Sequence, residues 1–106
     1  MNDKELADRI VALGALHYAP AYAMNSEYWQ IPDTNTCFGK AGQAVRDWRV
    51  AVALMEKLLD KQDVRMAMQI LDSTTRLVHI VGQADGQSES LPRAIIEAGV
   101  EALKDD

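Results

Sequence analysis

The segment Ser90-Leu-Pro-Arg-Ala-Ile-Ile-Glu-Ala-Gly-Val-Glu-Ala-Leu, running on into Lys104, constrains the fold most, because it carries a helix start signal and one apolar face. Ser90 can accept the free N–H groups of a first turn, and Pro92 falls inside that turn, where a missing N–H costs nothing. A helix is predicted from Ser90 onward. At 100° per residue Leu91, Ile95, Ile96, Ala98, Gly99, Ala102 and Leu103 share one arc, with Arg93, Glu97, Glu101 and Lys104 opposite. Gly99 lies mid-arc, where glycine costs about 1 kcal/mol of helix propensity against alanine. A close approach to a sheet or a second helix is the expected compensation.

Upstream, Val64, Met66, Met68 and Ile70 alternate with polar or small residues, the pattern of a half-buried strand, and Asp72-Ser-Thr-Thr75 supplies a turn. Leu77-Val-His-Ile-Val81 follows, apolar on both sides, and predicts an inner strand covered above and below by helices. The polar stretch from Gly82 to Glu89 reads as a flexible loop. Positions 43–59 read as one long helix, with Ala44, Val45, Trp48, Ala51, Val52, Leu54, Met55, Leu58 and Leu59 on its apolar half and Trp48 as the largest buried contribution.

At the other end, Asn2 followed by Glu5 resembles a capping box, and Leu6, Ile10 and Leu13 line one face of a first helix that stops at Gly14. Periodicity then lapses. Pro20 and Pro32 interrupt positions 15–38, Asp33-Thr-Asn-Thr has turn composition, and Ser26 to Ile31 has the content of a short strand. Together these segments predict one α+β domain over residues 1–106. A small antiparallel sheet is packed between helices as an α-β-α sandwich, in the rough order α-(β)-α-β-β-α.

With 48% apolar and 25% charged residues the chain can build one core without metal or disulfide. Eleven basic against sixteen acidic residues give a net charge of −5, which repels phosphate backbones, so no nucleic-acid partner is expected. The start of the last helix also lacks the cations that a double-stranded-RNA domain uses, since Arg93 stands alone there. No apolar run approaches the roughly 20 residues of a membrane span. The charged opening Met1-Asn-Asp-Lys-Glu5 and the lone Cys37 predict a cytoplasmic location.

Catalytic and metal-binding readings find little support in the spacing. His17 and His79 are far apart, and neither has a His, Cys or acid at the two-to-four-residue offset of a zinc pair, so no metal and no cofactor are expected. Nucleotide-binding, serine-hydrolase and zincin strings do not occur. His79 reads as a packed core or sheet-edge histidine, His17 as a loop-surface residue and Cys37 as a semi-buried thiol. Asp47 reads as a boundary carboxylate paired with an arginine. The unusual feature is aromatic: Tyr18, Tyr22, Tyr28, Trp29 and Phe38 crowd positions 18–38 and leave only Trp48 outside. Interfaces favour Tyr and Trp, which makes Tyr18, Tyr22, Tyr28 and Trp29 the candidate interaction surface.

The blocks Met1 to Gly14, Val45-Arg-Asp-Trp-Arg-Val-Ala-Val-Ala-Leu-Met-Glu-Lys57 and Glu89 to Leu103 resemble small proteins of tailed bacteriophages and prophages, and are similar to the phage ABA sandwich domain. That resemblance implies a small sheet between helical layers. The family carries no established activity, so no site residue is transferred from it. The sequence therefore predicts a phage or prophage accessory protein, non-enzymatic, which binds a host or phage protein through the Tyr-rich segment. The alternative is a small ligand-binding protein or hydrolase that uses His79 or Asp47 in a pocket beside the sheet. A homodimer contact through Met66 and Met68 is also compatible with the pattern.

Overall fold

The computed structural model describes residues 1–103 and shows an α+β fold. Lys104, expected on the polar face of the last helix, lies outside the described residues. The order is α1 (Asp3–Ala12), β1 (His17–Ala19), β2 (Tyr28–Gln30), β3 (Cys37–Phe38), α2 (Ala41–Ala44), α3 (Trp48–Leu59), β4 (Met66–Asp72), β5 (Thr75–Ile80), β6 (Ala84–Ser88) and α4 (Leu91–Leu103). The strands form two antiparallel sheets in the orders β1-β2-β3 and β4-β5-β6.

Helix α1 starts and stops where its caps dictate. The Glu5 N–H donates to Asn2 Oδ1 at 2.8 Å, and at the far end Gly14 takes φ +83°. The Ala15 N–H then reaches the Ile10 carbonyl and the Gly14 N–H that of Val11, which closes a Schellman turn. Leu6, Ala7 and Ile10 are buried. Helix α4 begins as its sequence specifies, the Arg93 N–H donating to Ser90 Oγ at 3.4 Å.

The long helix expected over 43–59 is corrected to two helices. Asp47 is extended (φ −94°, ψ 131°), and its side chain accepts the Arg49 N–H at 2.8 Å, so it caps a new helix instead of continuing an old one. The broad apolar half is thereby split. Val50, Ala51, Leu54 and Leu58 are buried, whereas Trp48, expected as the main buried side chain, is 53% exposed together with Val52 and Leu59.

The loop expected from Gly82 to Glu89 is also corrected, because residues 84–88 form β6. Its inward residues are Ala84, Gly86 and Ser88, small enough for α4 to lie directly on the strand. A Cβ built on Gly86 would stand 2.0 Å from the Ala94 carbonyl oxygen and 2.7 Å from the Ala98 nitrogen. Gly99 does the same service towards α3, where a Cβ would meet Met55 Cε at 2.5 Å and Leu54 Cδ2 at 2.9 Å. Thus α4 is held between the sheet and α3 at close range.

That sandwiching buries α4 almost all round and draws in Arg93, which the helical wheel placed on the polar side. Its guanidinium compensates by pairing with Asp3 Oδ1 and Glu97 Oε2, both at 2.9 Å, and by donating to the Met1 carbonyl. The chain ends are tied together there.

The cover expected on both faces of β5 is present on one. Arg76, Val78 and Ile80 share the α4 side with Gly86, and Val78 and Ile80 are fully buried. On the far side His79, Asp85 and Gln87 face solvent. The strand expected over Val64 to Ile70 is present as β4, two residues later, and is corrected in burial: all seven residues are exposed, because α4 spans β5 and β6 and stops short of this outer strand.

Candidate functional site

Where α4 stops short, a groove opens. Its walls are Trp48, Val52, Met55 and Leu59 from α3 and Met66 and Met68 from β4, its floor is Ala51, Leu91 and Ile95, and Glu56 stands at its margin. The space measures about 460 Å³. Antiparallel pairing of Met66 with Ile80 and Met68 with Val78 puts both methionines on the helix side of the sheet. One helical turn separates Trp48 from Val52, and a further turn leads to Met55. The groove therefore combines a strand row and a helix row.

Past Met68 and Leu91 the groove runs into a smaller space of about 260 Å³ bounded by Gln69, Ile70 and Arg76. Ile70 is 69% exposed and Met68 57%. Arg76 Nη1 is buried with no hydrogen-bond partner among the described residues, which leaves one guanidinium nitrogen desolvated beside this apolar surface.

The tyrosine-rich segment is organised differently from the single surface expected. Trp29 is 1% exposed and is corrected from surface to core. Cross-strand pairs put Tyr18, Trp29 and Phe38 on one face of the first sheet, where Tyr18 packs on Trp29 with ring centroids 5.3 Å apart. Tyr28 pairs with Ala19 on the opposite face. Tyr22 stands apart again, at a tight turn closed by hydrogen bonds between Tyr22 and Asn25, with Ala23 at φ 53°. Strand alternation separates Tyr18 from Tyr28, and the turn sets Tyr22 apart from both.

His79 lies on the open face of β5, where Nδ1 meets the Asp85 carboxylate across the strand pair. It is on the far side of the sheet from the groove, its side chain is 46% exposed and its strand is the central one, so it is neither the core nor the sheet-edge histidine expected. His17 is exposed on β1, and Cys37, expected as semi-buried, is exposed on β3. Asp47 forms the expected arginine pair, with Arg49 Nη2 at 2.8 Å from Oδ2. The Arg49 hydrogen bonds hold its carboxyl below the ordinary range against the opposing effect of burial.

Arg46 joins Asp3 at 2.8 Å and Glu89 at 2.7 Å, binding α1, the α2–α3 junction and the start of α4. Glu89 is lowered from 4.5 to about 2 by the Ser88 hydroxyl first and by Arg46 next. Burial raises Asp3, but its bonds to Arg46 and Arg93 outweigh that and leave it lowered. All three carboxyls have folded values below their unfolded ones. The Glu89 contribution is present above pH 4.5 and is lost as pH falls from 4.5 towards 2, and those of Asp3 and Asp47, present above their ordinary 3.8, are lost at lower pH still. We expect the melting temperature to drop across that window, and to drop less in Arg46→Gln. A thermal-denaturation series in which both proteins fall equally would remove Arg46 from this role.

Among the described residues no group of three or more His, Cys, Asp or Glu is placed to hold a metal, and no helix is long and apolar enough to cross a membrane. The groove was missed in the sequence because its parts come from α3, β4 and α4, each of whose apolar positions reads as core in isolation. A signal was present in α3: its apolar half is wider than one neighbouring element can cover. Compared with family models, curated proteins and solved structures, the chain matches none.

Proposed function

We propose that this chain is a non-enzymatic protein-interaction module that docks a partner in the groove between α3 and β4. The observation that carries this reading is the open apolar surface of Trp48, Val52, Leu59, Met66 and Met68, with Glu56 beside it. Tryptophan supplies a large anchor, and three methionines supply adaptable contact. Several charged groups elsewhere have structural partners: Asp47 caps α3, while Asp3, Arg46, Glu89 and Arg93 join the helices.

From the resemblance read in both ends and the central block we infer a phage or prophage accessory role in a bacterial cytoplasm, with a host or phage protein as the partner. Tyr18, Tyr22 and Tyr28 are separate exposed positions in this reading, and Trp29 is not among them. A second reading, small-ligand binding, is favoured by the volume of the groove, which falls within the roughly 300–1,000 Å³ of small-molecule sites. The hydrolase form of that alternative gains nothing from the geometry, since His79 faces away from the groove.

The test compares immobilised wild-type protein with Trp48→Lys in the capture of bacterial and phage proteins. A captured partner should fall by about tenfold or more in the variant, equivalent to about 1.4 kcal/mol. Equal recovery by folded variant and wild type would reject the groove.

A further inference from the structure

We propose that the free edge of β4 pairs with β4 of a second copy of this chain, joining two three-stranded sheets across a two-fold axis. The proposal rests on the groove being a docking surface, and it makes a second copy of this chain the occupant in place of a host protein. Exposed strand edges normally carry charges, prolines or bulges that prevent such pairing. Met66-Ala-Met-Gln-Ile-Leu71 has neither a charge nor a proline, and the irregularity of register falls only at its end, between Ile70 and Asp72.

The backbone fixes which groups are unpaired. The Val81 N–H donates to the Arg65 carbonyl at 2.9 Å, so alternation turns the amides and carbonyls of Ala67 and Gln69 towards β5. Those of Met66, Met68 and Ile70 face outward. A two-fold axis through Met68, normal to the sheet, sets Met68 against its own copy and Met66 against the partner's Ile70. This register satisfies about six outward backbone bonds. Every side chain it joins on the groove side is apolar.

At the ends of the strand Arg65 falls opposite the partner's Leu71 and Asp63 opposite the partner's Ser73, so the partner's Asp72 lies between a cation and an anion and the ends neither favour nor oppose that register. Between those ends no like charges meet, which matters for a chain of net charge −5. The same operation turns the two α3 helices towards each other on one side of the joined sheet. Trp48, Val52 and Leu59 of each copy then flank a shared apolar seam.

Sedimentation velocity from about 5 to 200 µM, a range suited to a micromolar association, tests this. The expected particle has twice the mass of the 11.7 kDa chain. Met68→Lys sets two like charges directly opposite and should shift the particle to a single chain, whereas Tyr22→Lys should leave it dimeric. Both positions are exposed, so folding is retained and is checked by circular dichroism. Amide exchange at Met66, Met68 and Ile70 should slow as concentration rises.

A single-chain mass at every concentration overturns the proposal, as does a dimer indifferent to Met68→Lys. If such a single chain still takes up an apolar dye, and Trp48→Lys abolishes the uptake, only the second-copy occupant is lost. If it takes up no dye, the docking groove is lost as well.

Discussion

Gly86→Ala should destabilise the protein by about 3 kcal/mol or more, a large part of the 5–15 kcal/mol typical of a domain. The added methyl would stand 2.0 Å from the Ala94 carbonyl oxygen and 2.7 Å from the Ala98 nitrogen. Both are backbone atoms of α4, so no side-chain rotation can relieve the overlap. Relief requires moving α4 off β6, which also disturbs its contact with α3 at Gly99. Gly99→Ala is the informative comparison. Its methyl meets the flexible end of Met55 at 2.5 Å and a methyl of Leu54 at 2.9 Å, and alanine regains about 1 kcal/mol of helix propensity. A net change within about 1 kcal/mol is expected there. Urea denaturation of both variants decides the matter; a Gly86→Ala midpoint equal to that of the wild type would mean that β6 does not lie against α4.

The contrast between these glycines marks what the sequence makes legible. The caps at Asn2 and Ser90, the stop at Gly14 and the turn after Asp72 are local chemistry, and each falls where its residues predict it. The close approach at Gly99 was also legible, because glycine in an apolar helix face requires a reason. Strand β6 was hidden by its own function: inward Ala84, Gly86 and Ser88 are small because α4 presses on them, and small residues beside Asp85 and Gln87 resemble a loop. The break at Asp47 was hidden because an aspartate inside an apolar period can be read as its polar face or as a cap. Arg93 could be placed only once Asp3 of α1 and the preceding Met1 were known to lie beside it.

The site was legible only in fragments. Met66 and Met68 were correctly put on one face of a strand, and Trp48 and Val52 on one face of a helix. Periodicity gives the direction of a side chain relative to its own element, but the reach of the neighbouring element decides whether it is covered. Here α4 covers β5 and β6 and leaves β4 bare. The groove arises from this chain's own geometry.

The two tryptophans should respond in opposite ways to truncation. Trp29 is 1% exposed and lies in an aromatic row between Tyr18 and Phe38, the latter also touched by the Arg49 guanidinium 5.9 Å from its ring centre. Trp29→Ala should cost about 3–5 kcal/mol, since the first sheet is only three short strands and cannot collapse around so large a void. Trp29→Phe should cost less than about 1.5 kcal/mol, because the smaller ring keeps most of the contact. It also removes Nε1, which is buried without a hydrogen-bond partner among the described residues. Trp48→Ala, at a half-exposed groove wall, should alter stability by less than about 1 kcal/mol while weakening whatever docks there. Urea denaturation measures the three costs, and acrylamide quenching of single-tryptophan variants measures the exposure behind them. Trp29 emission should resist quenching and Trp48 emission should not. Comparable losses of stability in Trp29→Ala and Trp48→Ala would mean that Trp48 is core, and both the groove and the partner assigned to it would have to be given up.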